Sequence, residues 1–229
     1  MERPVHIVYY VYINPNKQWR DIIHFQLTEM YNSSILEKAV LSIEICCERS
    51  DLVETTKSII NDFFNDKPDC KFYTTFSDVN RFEYHGIKKI YDSASEKPDK
   101  VHIYIHSKGM FFGPCQGVSP ENSILTTKTL EKWRETLELF NNDDEILKAA
   151  LIPSNDGFSW FNFFWASSKY LKTCEEPQLT DNRWYYEGWL GTGDNSLGCT
   201  YNLLEENCNT YTHEEALDKM HRLKYNLPC

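Results

Sequence analysis

The run Val101-His102-Ile103-Tyr104-Ile105-His106-Ser107-Lys108-Gly109 brings an imidazole, a hydroxyl and an ammonium together at one point of the chain. Val101, Ile103 and Ile105 alternate with His102, Tyr104 and His106, which is the period of a strand, and Gly109 closes a polar turn behind it. Residues at the carboxyl end of a strand in an open α/β sheet face a crevice rather than the core. An imidazole able to ligate a metal, together with a hydroxyl and an ammonium, suits a polyphosphate and its divalent ion. An ordinary polar turn after an edge strand would use the same residue types.

Other chemistries are excluded by what the chain lacks. Its first glycine is Gly86, so the first strand-to-helix turn is not the glycine-rich dinucleotide fingerprint, and neither a P-loop nor a G-x-S-x-G elbow occurs. A formal charge of −10 over 229 residues argues against nucleic acid, because phosphate contacts need a basic face. The apolar runs are too short to span a membrane, and the N-terminus lacks the basic, apolar, small-residue order of a signal peptide, so a cytoplasmic protein is expected. The eight cysteines include no C-x-x-C pair and no zinc spacing, which predicts free buried thiols.

The elements that must position the turn alternate. His6 to Ile13 reads as a central strand, and Trp19, Ile22, Ile23, Leu27 and Met30 recur at helical spacing. Val40 to Cys46 is a second strand, a helix opens at Asp51, and Lys71 to Phe76 is a third strand. Asn80-Arg81-Phe82-Glu83 resembles a capping box opening a helix through Ile87, Ile90, Tyr91 and Ala94, where Gly86 implies close backbone packing. Phe111 to Thr127 is expected to be a long loop, Leu130 to Phe140 a helix, Ala149 to Pro153 a strand and Trp160 to Trp165 an aromatic strand. Gly188, Gly191, Gly193 and Gly198 predict a mobile loop, and Thr212 with Glu215 a capped terminal helix. The alternation predicts one α/β domain over residues 1–229, with a central, mostly parallel mixed sheet flanked by helices.

Aromatic faces beside a crevice also suit the C–H face of a sugar ring. Five segments carry a resemblance: Tyr-Tyr-Val-Tyr-Ile-Asn-Pro at 9–15, Asn80 to Gly86, His106-Ser107-Lys108-Gly109, Trp160 to Trp165, and Asn182-Arg183-Trp184-Tyr185-Tyr186-Glu187. In this order they resemble the small GT-A-type glycosyltransferases of large DNA viruses, most closely the N-terminal domain of a chlorovirus multidomain glycosyltransferase, from about residue 5 to 225. The resemblance implies a GT-A-like, Rossmann-like fold, a UDP-sugar such as UDP-glucose as donor, Mn²⁺ (or Mg²⁺) as cofactor and a glycan acceptor, in the host cytoplasm if the protein is viral. It also implies a nucleotide-sugar half at about 1–112 and an acceptor half at about 113–229. Such enzymes usually hold the metal with Asp-x-Asp after the fourth strand, where this chain has His106-Ser107-Lys108.

On that reading Asp78 and His106 are the expected metal ligands, with Ser107 and Lys108 beside the diphosphate. Tyr10, Val11 and Tyr12, with Asn80 and Tyr84 nearby, are expected at the uracil, and His213 within reach of the diphosphate. Glu187 is the first candidate for the base that deprotonates the acceptor, and Asp156 the second. A turn-forming Asp156 and a solvated Glu187 are the structural alternatives. A non-catalytic glycan-binding module and a nucleotidyltransferase on a similar sheet are the rival functions.

Overall fold

The computed structural model describes residues 3–96, 98–107 and 117–225. Lys108 therefore lies outside the described residues, as do Gly109, Cys115 and Cys229. The elements of the first half are β1 (Val5–Tyr12), α1 (Trp19–Asn32), β2 (Ala39–Cys46), α2 (Ser50–Phe64), β3 (Lys71–Ser77), α3 (Tyr84–Glu96) and β4 (Val101–His106). After it come α4 (Pro120–Glu131), α5 (Trp133–Asn142), β5 (Ile146–Ala150), β6 (Phe164–Ser167), α6 (Ser168–Leu171), α7 (Arg183–Gly188), β7 (Cys199–Asn202) and α8 (His213–Lys224).

The seven strands form one mixed sheet in the order β3-β2-β1-β4-β6-β5-β7. β1 pairs in parallel with β2 and β4, and β2 with β3, whereas β6 runs antiparallel to β4 and β5. Parallel crossovers are right-handed. The chain moves outward from β1 to β3, so α1 and α2 cover one face; it then steps back across β1 to β4, which places α3 on the other. Trp19, Ile23, Leu27 and Ile60 accordingly pack with Tyr9, Val11 and Ile103. Ile87, Ile90 and Ala94 pack with Val8, Tyr10 and Tyr104. Alternation along β1 and β4 sends successive side chains into these two cores.

Gly86 sits where α3 crosses β1 and β4. A Cβ there would lie 2.7 Å from the Tyr10 Cβ and 2.8 Å from the Tyr104 hydroxyl, so the close packing expected of this glycine is present.

Several boundaries differ from the sequence expectation. Pro120 opens α4 at the N1 position, capped by the Ser119 hydroxyl, within the stretch expected to be loop. The aromatic stretch is a single 3-10 turn at Trp160–Asn162 followed by β6, because Phe161 and Asn162 both adopt positive φ and break the strand. The glycine-rich stretch holds two 3-10 turns, Trp189–Thr192 and Asn195–Leu197. The expected set of free thiols is corrected by a disulfide between Cys199 and Cys208. The turn after β7 brings their Cα atoms to 6.0 Å, a proximity that a spacing outside the familiar motifs does not announce. Cys46, Cys47, Cys70 and Cys174 are free. No helix among the described residues is long and apolar enough to cross a membrane.

Candidate active site

The sheet order has one topological switch, between β1 and β4, because the connections from these strands leave in opposite directions. Their carboxyl ends are joined locally: the Ser107 amide donates to the Tyr10 carbonyl at 2.9 Å, and the Tyr12 amide donates to Ser107 Oγ at 3.0 Å. Tyr12 donates its hydroxyl to Glu48 at 2.7 Å, with Asn80 beside it. Burial, followed by the Glu48 carboxylate, pushes this phenol up to about 12, so it is a donor at neutral pH. Tyr12 thus links Asn80 and Ser107 at the carboxyl ends of β1 and β4. Tyr10 and Val11 do not reach this point with their side chains, because alternation buries Tyr10 against α3 and Val11 in the opposite core.

The metal ligands expected from the sequence do not converge. Asp78 is exposed just past β3, and His106 ends β4 with β2 and β1 between them. Three inter-strand spacings amount to ~14 Å, too far for one ion to bridge. His106 is also engaged elsewhere: its Nε2 donates to the Phe161 carbonyl at 3.0 Å and its Nδ1 faces Glu83 Oε1 at 3.6 Å. No group of three His, Cys, Asp or Glu side chains suited to a metal occurs among the described residues. The pair Asp78 and His106 therefore does not fit the implied Mn²⁺, and no chemical step is routed through it.

Glu83 is the residue that sequence reasoning missed. As part of a capping box its carboxylate would turn back to Asn80, yet Asn80 Oδ1 accepts from the Phe82 amide at 2.9 Å instead. The Glu83 carboxylate turns inward, accepting from the Tyr104 hydroxyl at 3.0 Å and from Asn162 Nδ2 at 2.6 Å. Its side chain is 14% exposed and that of His106 10%, so both keep a little solvent contact while Asn162 is fully buried. Phe82, Phe161 and Asn162 around it have φ of 51°, 67° and 58°. Left-handed non-glycine residues cost on the order of 1–3 kcal/mol each and gather where the surroundings impose them for function. Tyr84 belongs to the aromatic rim of this cluster, edge-on to Tyr186 at 6.4 Å between ring centroids.

In the second half of the chain Glu187 lies on α7, a quarter exposed and paired with Arg183 at 3.0 Å across one helical turn. Asp156 is exposed in the turn before Gly157, with its amide held by Ser154 Oγ at 3.1 Å. That turn is anchored by Lys148, a second residue the sequence reading passed over. Its buried ammonium donates to the Gly157 carbonyl at 2.9 Å, the Tyr170 hydroxyl at 3.0 Å and Asn195 Oδ1 at 2.5 Å. Burial pulls this amine down to about 8. The signal was a lysine within the strand Ile-Leu-Lys-Ala-Ala. Asn195 also donates to the Gly191 carbonyl at 3.1 Å, so Lys148 ties the Asp156 turn to the glycine-rich segment following Glu187. His213 is exposed, with its ring tilted on Trp160 at 5.1 Å.

No protein-family model and no curated protein matches the chain. Two similar solved structures are the mannosyltransferase PcManGT from Pyrobaculum calidifontis in complex with GDP-Man and Mn²⁺, and a Desulfovibrio desulfuricans G20 protein described as a nucleotide-diphospho-sugar transferase. The first has 9% identity and a TM-score of 0.44 over 73% of this chain, which spans 45% of that one, about half its length. The second has 13% identity and a TM-score of 0.44 over 97% of this chain and 77% of that one. Likeness at this level assigns neither substrate nor residue roles.

Proposed function

We propose that the chain is a glycosyltransferase of GT-A type that moves a hexose or deoxyhexose from a UDP-sugar to a glycan acceptor. The observation that carries the reading is the switch point between β1 and β4, where Tyr12, Asn80 and Ser107 meet at the carboxyl ends of parallel strands. Ligands of open α/β sheets bind at such a place. The sequence resemblance supplies the ligand class.

In this proposal the nucleotide lies over β1 and β4, with its base toward Tyr12 and Asn80. The reaction is direct transfer: an acceptor hydroxyl oxygen forms the new bond to the anomeric carbon as the bond to the UDP oxygen breaks. Ser107 is assigned to the diphosphate end, where negative charge grows on the leaving group, and Lys108, outside the described residues, is the cation the sequence offers for it. Glu187, or failing it Asp156, accepts the proton that the acceptor hydroxyl loses. The resemblance implies Mn²⁺ or Mg²⁺, and Asp78 is the remaining ligand candidate once His106 is committed to Phe161 and Glu83. Hard cations at such sites bind through one or two carboxylates and the substrate's phosphates.

Thermal unfolding with UDP, GDP or CMP, each with Mn²⁺ or with EDTA, tests the reading. UDP with Mn²⁺ is expected to raise the melting temperature most, since a ligand at 100 times its Kd stabilises by ~2.7 kcal/mol. If no nucleotide shifts the transition while a glycan does, the protein is a binding module. Equal shifts by UDP in Mn²⁺ and EDTA remove the metal.

A further inference from the structure

Seven buried side-chain polar atoms among the described residues have no hydrogen-bond partner, and Asn162 Oδ1 is one of them. Asn162 stands apart because it also has left-handed backbone and touches the Glu83 carboxylate. The direction of its amide is settled by its neighbours. Nδ2 donates to Glu83 Oε2 at 2.6 Å and to the Tyr186 carbonyl at 3.3 Å. Both partners are acceptors, so turning the amide over would set oxygen against oxygen at each contact. Oδ1 is therefore a fixed acceptor without a donor, in a residue only 1% exposed. Buried polar groups are satisfied in folded proteins, and an orphan at a functional site points to a group that arrives from outside.

The sheet order indicates what that group is. A nucleotide over β1 and β4 with its base toward Tyr12 and Asn80 directs its diphosphate, and then its sugar, toward β6. Asn162 lies on that side, two residues before β6 and next to Phe161, whose carbonyl receives His106 from the end of β4. Oδ1 needs an O–H or N–H donor, which the ionised diphosphate lacks and a sugar ring supplies several times over. Resting on the glycosyltransferase reading above, we infer that Asn162 Oδ1 accepts a hydrogen bond from a hydroxyl of the donor sugar, making Asn162 a specificity-determining residue. Glu83 is its positioning residue: it grips Nδ2 and so aims Oδ1.

The test is calorimetric titration of UDP and UDP-glucose into the parent protein and Asn162→Gly, a change that removes the amide and accommodates the left-handed backbone. The Kd for UDP is expected to stay within about twofold, while that for UDP-glucose weakens about tenfold, the loss of one buried hydrogen bond. In the parent, one member of a monodeoxy UDP-glucose series should bind about tenfold more weakly than UDP-glucose; Asn162→Gly should no longer distinguish the two. A variant that weakens UDP and UDP-glucose alike, or neither, overturns the inference and leaves the amide a structural role. Equal binding of every monodeoxy donor by the parent overturns it even if the variant does not fold. A parent that binds neither UDP nor UDP-glucose overturns the UDP-sugar reading, and this inference with it.

Discussion

β1 and β4 lie in register, and the pair has two polar ends. At the amino end His6 stands opposite His102; at the carboxyl end Tyr10 stands opposite His106. The first histidine pair is sealed in and satisfied by neutral partners: His6 Nε2 meets Ser42 Oγ at 2.9 Å, His6 Nδ1 meets Ser93 Oγ at 2.8 Å, and His102 Nε2 meets Ser168 Oγ at 2.9 Å. Burial, reinforced by Lys100 and Lys89, pulls His6 down to about 3, and burial holds His102 well below its usual range. Both rings are therefore neutral, and they link three strands and two helices. His106 keeps some solvent contact and faces a carboxylate amid strained backbone. Two histidines four residues apart on one face of one strand thus have different surroundings, because only His106 ends the strand, where the Phe161 carbonyl and Glu83 meet it.

The contrast predicts that changes at the proposed site cost function and changes at the amino end cost stability. The largest effect is expected from Glu187→Gln, because Glu187 has a single ion-pair partner and an accessible carboxylate. Sugar transfer should fall ~10²–10⁴-fold with the UDP Kd unchanged, since an amide cannot serve as the base. Transfer at the parent rate would move the assignment to Asp156.

Acid tests the amino end. His6 is depressed in the folded state, so its stabilising effect is complete above the unfolded value of 6.5 and is lost as pH falls from there toward about 3. Denaturant melts should lose roughly 3 kcal/mol through this residue between pH 7 and pH 4. The pH slope should be shallower in His6→Asn, and identical slopes in parent and variant would remove His6 from the acid response. The smallest effect is expected from Glu83→Gln, which keeps acceptors for Tyr104 and Asn162 but removes their charge assistance. Stability should fall by about 1–2 kcal/mol, and the UDP Kd should hold while that of UDP-glucose weakens. A larger stability loss with no change in either Kd would make Glu83 part of the scaffold alone.

Much of the fold was legible in the sequence because local pattern and burial agree. The strands and helices from β1 to β4 follow from period-two and helical spacing, and the capping box of α8 is present as read, with Thr212 and Glu215 satisfying each other's amides. The reading failed where one residue type serves two environments. Glu83 sat at a cap position and turned inward, Trp160 to Trp165 had strand composition but kinked at Phe161, and the cysteines joined by Cys199–Cys208 carried no motif.

The sequence by itself determined that this is one α/β sheet whose fourth strand ends at His106, with Ser107 next, since periodicity, capping and the lack of early glycines are properties of neighbouring residues. Tertiary structure alone decided which polar groups meet. The step from β3 back across β1 to β4 separated Asp78 from His106, and the same crossover laid α3 over β4 so that Glu83 reached Tyr104, His106 and Asn162. Contacts between residues 21 to 79 positions apart depend on strand order and crossover hand, and neither leaves a mark on the local pattern of the chain.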